Sequence, residues 1–327
     1  MSDAAPARPA PPALWKRVLR TALPLAGMSF CIALLVRTVD VSAAARAVRA
    51  ADGRWLLAAL AAALLLTVMI ALRLWWLLRS AGRARPFRAC WSAMMASLTL
   101  NAVLPARAGD LIKAVFIARG RDEIRPMLGV MVIERLLDVA ALSTIASTAA
   151  AVSGRPAVAG VAAAILVAAA VLLALLRWAP DLLPRRMSKL SAGLSEPAQR
   201  LLARPAHTAA AFGVALACWV VNIGLFAMLL RAVGADASPA QAAGTLPLGV
   251  LVGALPISIA GIGTRDALLV FLLRGVVDEP LVLAGSFLYL VVGYWFLAVV
   301  GLLSLGGKAL AAHRRSAAAV TTDAAPT

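Results

Sequence analysis

Three groups of polar residues interrupt otherwise apolar sequence, and their types are those that bind anions and exchange ion pairs. The first is Asn101, then Leu104-Pro105-Ala106-Arg107-Ala108-Gly109-Asp110, with Lys113 one turn further on. The second is Glu134-Arg135 with Asp138. The third runs from Leu255-Pro256 through Ser258, Gly261 and Gly263 to Thr264-Arg265-Asp266. Pro and Gly interrupt a helix and free backbone N–H groups, and an arginine there adds a forked cation. That combination suits a phosphate or another anion. Asp110 is placed to cap the helix that follows the first break, where the macrodipole favours a negative charge. Glu134 and Asp138 share a helix face at i,i+4, and Arg135 stands i,i+3 to Asp138. We assign Asn101, Arg107, Gly109, Asp110, Lys113, Ser258, Gly261, Gly263, Thr264, Arg265 and Asp266 to substrate binding, and Glu134, Arg135 and Asp138 to ion-pair switching. The plainer alternative is that these charges only keep one another buried, with Glu134 and Asp138 locked to Arg107 or Arg265. Two acids without further ligands make a weak metal site, so neither a metal, a cofactor nor a catalytic residue is expected.

These groups need a membrane to make sense. The chain is 62% hydrophobic and 14% charged, with a mean hydropathy of +0.90. A soluble domain is nearer half apolar and a quarter charged. Several apolar runs reach about 20 residues, enough to span a bilayer. The net charge of +17 is dispersed among loops rather than gathered into an aromatic-interleaved patch, so it reads as positive-inside topology, not nucleic-acid binding. Cys31, Cys90 and Cys218 are scattered in or beside apolar runs and read as small buried residues, without a disulfide framework.

The expected fold is all-α and polytopic, with six spanning helices and two re-entrant hairpins. The spans are Val18–Val36, Trp55–Leu78, Met127–Ala151, Ala157–Leu176, Ala206–Leu230 and Pro280–Leu305. Thr38–Arg54 is amphipathic and lies in the interface. Arg73 is near the end of its span and is expected to snorkel to the surface. Ala89–Leu104 and Leu111–Ala118 are each too short to cross, as are Pro239–Pro256 and Asp266–Leu273, so each pair reads as a hairpin that dips in and returns. With residues 1–17 and 311–327 as disordered tails, 18–310 forms one domain, with repeat halves at about 18–154 and 155–310. Putting both termini in the cytoplasm places most of the basic loops inside. The first hairpin then enters from the cytoplasm and the second from outside, an inverted repeat. The two Leu-Pro steps lie 151 residues apart, and paired breaks of this kind point to a transport site near the midplane.

In order and spacing, Asn101-x-x-Leu104-Pro105-Ala106-Arg107-x-Gly109-Asp110, Glu134-Arg135-x-x-Asp138 and Leu255-Pro256-x-Ser258-x-x-Gly261-x-Gly263-x-Arg265-Asp266 resemble the lysylphosphatidylglycerol synthase transmembrane family, also described as flippase-like. Asp110 and Asp266 stand where that family usually has Glu. Bifunctional members carry a soluble aminoacyl-transferase domain after the membrane part, and this chain ends about 17 residues after Leu310. The resemblance therefore implies the membrane half alone, a bacterial-type cytoplasmic (inner) membrane protein that moves lipids between leaflets. The implied partners are anionic phospholipids or polyprenyl- or hopanoid-type lipids, and an enzyme of envelope-lipid synthesis. The alternatives are a membrane transferase acting on a lipid phosphate, with Asp110 or Glu134 as base, and a non-catalytic accessory subunit.

Overall fold

In the computed structural model, residues 29–101, 109–182, 195–254 and 261–305 are described, and they are helical throughout with no strand among them. The expected disordered tails, most of the first span, both Leu-Pro steps, Arg107 and Ser258 lie outside the described residues. The helices are α1 (Ser29–Thr38), α2 (Val41–Arg49), α3 (Gly53–Ser80), α4 (Phe87–Asn101), α5 (Gly109–Ile117), α6 (Ile124–Val152), α7 (Pro156–Leu182), α8 (195–202), α9 (Pro205–Ala232), α10 (Pro239–Gly253), α11 (Thr264–Leu273) and α12 (Glu279–Leu290). α12 continues through a π turn at Val291–Phe296 and on to Leu305.

Four helical segments among the described residues are long and apolar enough to cross a membrane: Gly53–Ser80, Pro156–Leu176, Pro205–Ala232 and Glu279–Leu305. Large apolar side chains on them face outward, as in lipid; Leu57, Val161, Val220 and Leu303 are examples. α6 has 29 residues, a comparable length, but carries Glu134, Arg135 and Asp138 in its middle and is not among the four. It packs against α7, α9, α10 and α5, and its Glu134 and Asp138 are buried. The core runs between α3, α6, α9 and α12, with Leu74, Met131, Phe226 and Leu288 buried in it.

The two short pairs fold back on themselves. α4 and α5 have 15 and 9 residues, about 22 and 14 Å of helix against a hydrocarbon core of about 30 Å. A methyl group on Gly109 would stand 2.6 Å from Asn101 Oδ1 and 2.7 Å from the Ser97 carbonyl oxygen, so the start of α5 presses on the end of α4. At the other end Arg85 Nε, just before α4, donates to the carbonyl of Ile117, the last residue of α5, at 3.2 Å. α10 and α11 do the same. Gly253 meets Gly261, and a methyl on Gly249 would stand 3.2 Å from Arg265 Cγ. A Cβ at these glycines would press on the facing atoms by a few tenths of an ångström. Gly263, which opens α11, has φ +83°, a conformation that side chains with a Cβ rarely adopt.

Loops meet at both ends of the helix bundle. At one end Arg83 pairs with Glu196, Arg85 with Glu123, and Arg200 donates to the carbonyl of Ala81. At the other end the Asp52 amide donates to the carbonyl of Ala232 at 2.8 Å, and Thr38–Asp40 lies by Asp278–Leu281. α4 starts at the first end and α10 at the second.

A ring of alternating charge beside a cavity

Six charged side chains from three helices close a ring. Arg73 on α3 pairs with Glu134 at 3.0 Å and, on its other nitrogen, with Asp138, both on α6. Lys113 on α5 reaches Glu134 at 2.9 Å and Asp110 at 3.6 Å. Arg135 closes the circuit, 3.3 Å from Asp110 and 3.0 Å from Asp138. Three cations (Arg73, Lys113, Arg135) face three carboxylates (Asp110, Glu134, Asp138), so the ring carries no net charge. That balance is what low dielectric requires, since an unpaired buried ion is costly. Neutral donors complete it: Ser97 Oγ and Asn101 Nδ2 donate to Asp110 at 2.8 and 3.1 Å, and Trp219 Nε1 donates to Asp138 at 3.2 Å.

Helix periodicity sets which of these residues share a face. The i,i+4 spacing turns Glu134 and Asp138 to one face, and α3 lies along that face with Arg73 opposite. Lys113 follows Asp110 by three residues and so sits on the same side of α5. The expectation that Arg73 snorkels is corrected: its side chain is 2% exposed and points inward. Two carboxylates on α6 hold it there, and its long stem is covered by the core. The proposed lock of Glu134 and Asp138 thus exists, but its partners are Arg73 and Lys113 rather than Arg265.

A cavity of about 110 Å³ opens beside the ring. Arg73, Arg135, Asp110 and Asp138 line it, with Asn101 from α4, Trp219 and Asn222 from α9, Tyr289 from α12 and Tyr294 from the π turn. Its volume is well above the roughly 10–15 Å³ needed to hold one water, so the cavity has room for several. The ring members differ sharply in access. Lys113 and Glu134 are sealed, whereas the Arg135 side chain is 34% exposed. Lys113 therefore supports the ring and is not among the residues that line the cavity.

The second break forms a separate cluster. Arg265 binds its neighbour Asp266 at 2.7 Å, and Ser286 Oγ donates to the same carboxylate. The Gly263 amide donates to the other oxygen of Asp266 at 2.9 Å, capping the start of α11. Thr264 is buried there, and Gly261 packs against Gly253. Arg265 and Asp266 make no ion pair with Glu134, Arg135 or Asp138, and none of α10 or α11 lines the 110 Å³ cavity among the described residues. Gly263 and Asp266 instead border an apolar groove of about 440 Å³ against α1, α2 and α12. The two breaks thus do not converge on one described cavity. Helices α9 and α12 stand between them, and their polar residues Trp219, Asn222 and Tyr289 had little signal in the sequence beyond being polar within apolar spans. Asn222 accepts the Tyr289 hydroxyl at 2.7 Å and also lines the cavity. Among the described residues no cluster of His, Cys, Asp and Glu has the makings of a metal site.

No curated protein matches the chain. A family model, the lysylphosphatidylglycerol synthase TM region, matches residues 21–301, which takes in the ring, the cavity and both short helix pairs. The protein is a multi-pass, lipid-related membrane protein, and it belongs to the lysylphosphatidylglycerol synthase transmembrane family.

Proposed function

We propose that the chain is a lipid translocase, moving a phosphate-bearing envelope lipid between the leaflets of the bacterial-type cytoplasmic membrane, with both termini in the cytoplasm. The observation that carries this reading is the double commitment of the two carboxylates that hold Arg135. Asp110 also has Lys113, Ser97 and Asn101; Asp138 also has Arg73 and Trp219. Arg135 can therefore turn to a headgroup phosphate in the cavity without leaving either acid unpaired, which keeps the cost of exchange low. The acyl chains stay in lipid, and the headgroup is held by a bidentate guanidinium. Release reverses the exchange, and the ring closes again.

α4–α5 and α10–α11 fit this role as re-entrant hairpins of an inverted repeat, one entering from each face. Their lengths fall short of the bilayer, and they start at opposite ends of the helix bundle. Arg107 and Ser258 belong to the binding assignment as well, by their place in the two breaks. The transferase alternative is less well supported: Glu134, one candidate base, already accepts from Arg73 and Lys113 and faces no open space.

The test is reconstitution into liposomes with a leaflet-selective assay of phosphate-bearing lipids. Faster exchange than in protein-free vesicles, reduced at least tenfold by Arg135→Gln, supports the reading. Folded protein that accelerates none of several such lipids overturns it.

A further inference from the structure

We propose that Tyr289 is a positioning residue that couples the Arg265–Asp266 pair to the cavity beside the ring. The proposal deepens the translocase reading, since it assigns the second break a part in controlling a cavity that it does not line.

The chain of contacts is continuous. The Arg265 guanidinium carbon lies 5.1 Å from the centroid of the Tyr289 ring, within cation–π range. The same guanidinium holds Asp266, and Asp266 accepts from Ser286, one turn before Tyr289 on α12. The Tyr289 hydroxyl donates to Asn222 on α9 at 2.7 Å. Asn222 stands three residues, about one helical turn, after Trp219, whose indole N–H holds Asp138 in the ring. Tyr289 is thus gripped from two sides: its face by the second cluster, its hydroxyl by the wall of the cavity.

The backbone adds a reason why this link can move. Immediately after Tyr289 the helix widens into the π turn Val291–Phe296. A π turn inside an α-helix is rare and recurs at functional sites. Gly293 and Tyr294 within it line the cavity. Gly293 has nothing within 4 Å of where a Cβ would lie, so there is slack on that side of the helix. Nη1 of Arg265 has no hydrogen-bond partner among the described residues, although the side chain is 2% exposed. A guanidinium held on one edge can shift, and any shift is felt first by the ring lying under it. Reorientation of the Arg265–Asp266 pair then moves Tyr289, and Tyr289 moves the Asn222 wall.

Cys218 supplies a native reporter, because it lines the cavity and is almost fully buried. With Cys31→Ala and Cys90→Ala, it becomes the sole cysteine, and its rate of modification by N-ethylmaleimide in liposomes reads the opening of the cavity whether or not lipid is carried. We expect Arg265→Gln and Tyr289→Phe each to change that rate at least threefold, and the double variant to match one single variant instead of the product of the two. Arg265→Lys keeps the cation and should restore part of the wild-type rate. Melting temperature and gel filtration select folded variants, and Arg265→Lys with Tyr289→Phe gives a second cycle where Arg265→Gln fails to fold. Multiplicative effects in the double variant, or single variants without effect, overturn the coupling. If wild-type protein moves no lipid while the labelling cycle is non-multiplicative, the translocase reading falls and the coupling stands.

Discussion

Lys113, on the nine-residue helix α5, lies 2.9 Å from Glu134 in the middle of α6, and both side chains are closed off from their surroundings. The pair anchors a helix too short to cross a bilayer to one long enough to do so. Glu134 holds Arg73 of α3 with its other oxygen, so one carboxylate ties three elements together.

Removing Arg73 should therefore unsettle the whole bundle. Arg73→Leu leaves Glu134 and Asp138 each short of a cation, and loss of one partner from a buried pair costs about 3–5 kcal/mol. We expect a clear fall in melting temperature in detergent, or failure to recover folded protein.

Removing a matched pair should hurt less than removing one member. Glu134→Gln leaves Lys113 without its closest carboxylate, whereas Glu134→Gln with Lys113→Met removes one charge of each sign and preserves the balance. The double variant is expected to melt at a higher temperature than Glu134→Gln alone. A lower value contradicts the idea that charge balance governs this site.

Arg135 should behave in the opposite way to Arg73. Unlike that of Arg73, its side chain is 34% exposed, so water can take its place beside Asp110 and Asp138, and Arg135→Gln should melt within a few degrees of wild type. Lipid exchange should nevertheless fall at least tenfold. Equal losses of stability in Arg73 and Arg135 variants argue against the exchange role.

Gly109→Ala tests the fold of the first helix pair. Its methyl would stand 2.7 Å from the Ser97 carbonyl oxygen and 2.9 Å from the Asn101 amide nitrogen, and backbone cannot give way as a side chain can. Overpacking of this kind costs about 1–3 kcal/mol, so a lower melting temperature is expected. Gly160→Ala, with nothing within 4 Å of the added methyl, should leave it unchanged.

Glu123 sits in the bend between α5 and α6, outside the apolar segments. The Arg119 amide and then the Arg85 guanidinium hold its carboxyl below the usual carboxylate range. A depressed value means the stabilisation is complete above the ordinary pKa and is lost as pH falls through the lowered one. The return of α5 should therefore be as firm at pH 5 as at pH 7 and loosen only in stronger acid. Hydrogen exchange of the Arg119 amide, corrected for its intrinsic rate, reads this. Glu123→Gln should remove the acid dependence.

Much of this molecule follows from composition and breaks in apolarity alone. Lipid demands long uncharged helices and satisfied backbone, so four of the six expected spans can be recognised in Gly53–Ser80, Pro156–Leu176, Pro205–Ala232 and Glu279–Leu305. Short runs around Gly109 and Gly261 mark helices that turn back, because a Cβ on Gly109 would collide with α4 and Gly261 has a φ of +75° that favours glycine. The carboxylates of α6 stood out for the same reason: charge in an apolar helix needs a partner. Which partner was decided only by tertiary packing. Arg73 looked like a residue near a helix end, and periodicity carries no signal for the neighbour a side chain will meet across 61 residues. Arg265 looked like a partner for α6 and instead found Asp266 beside it. Sequence thus set the need for charge balance in a low dielectric, and the arrangement of α3, α5 and α6 determined which charges satisfy it.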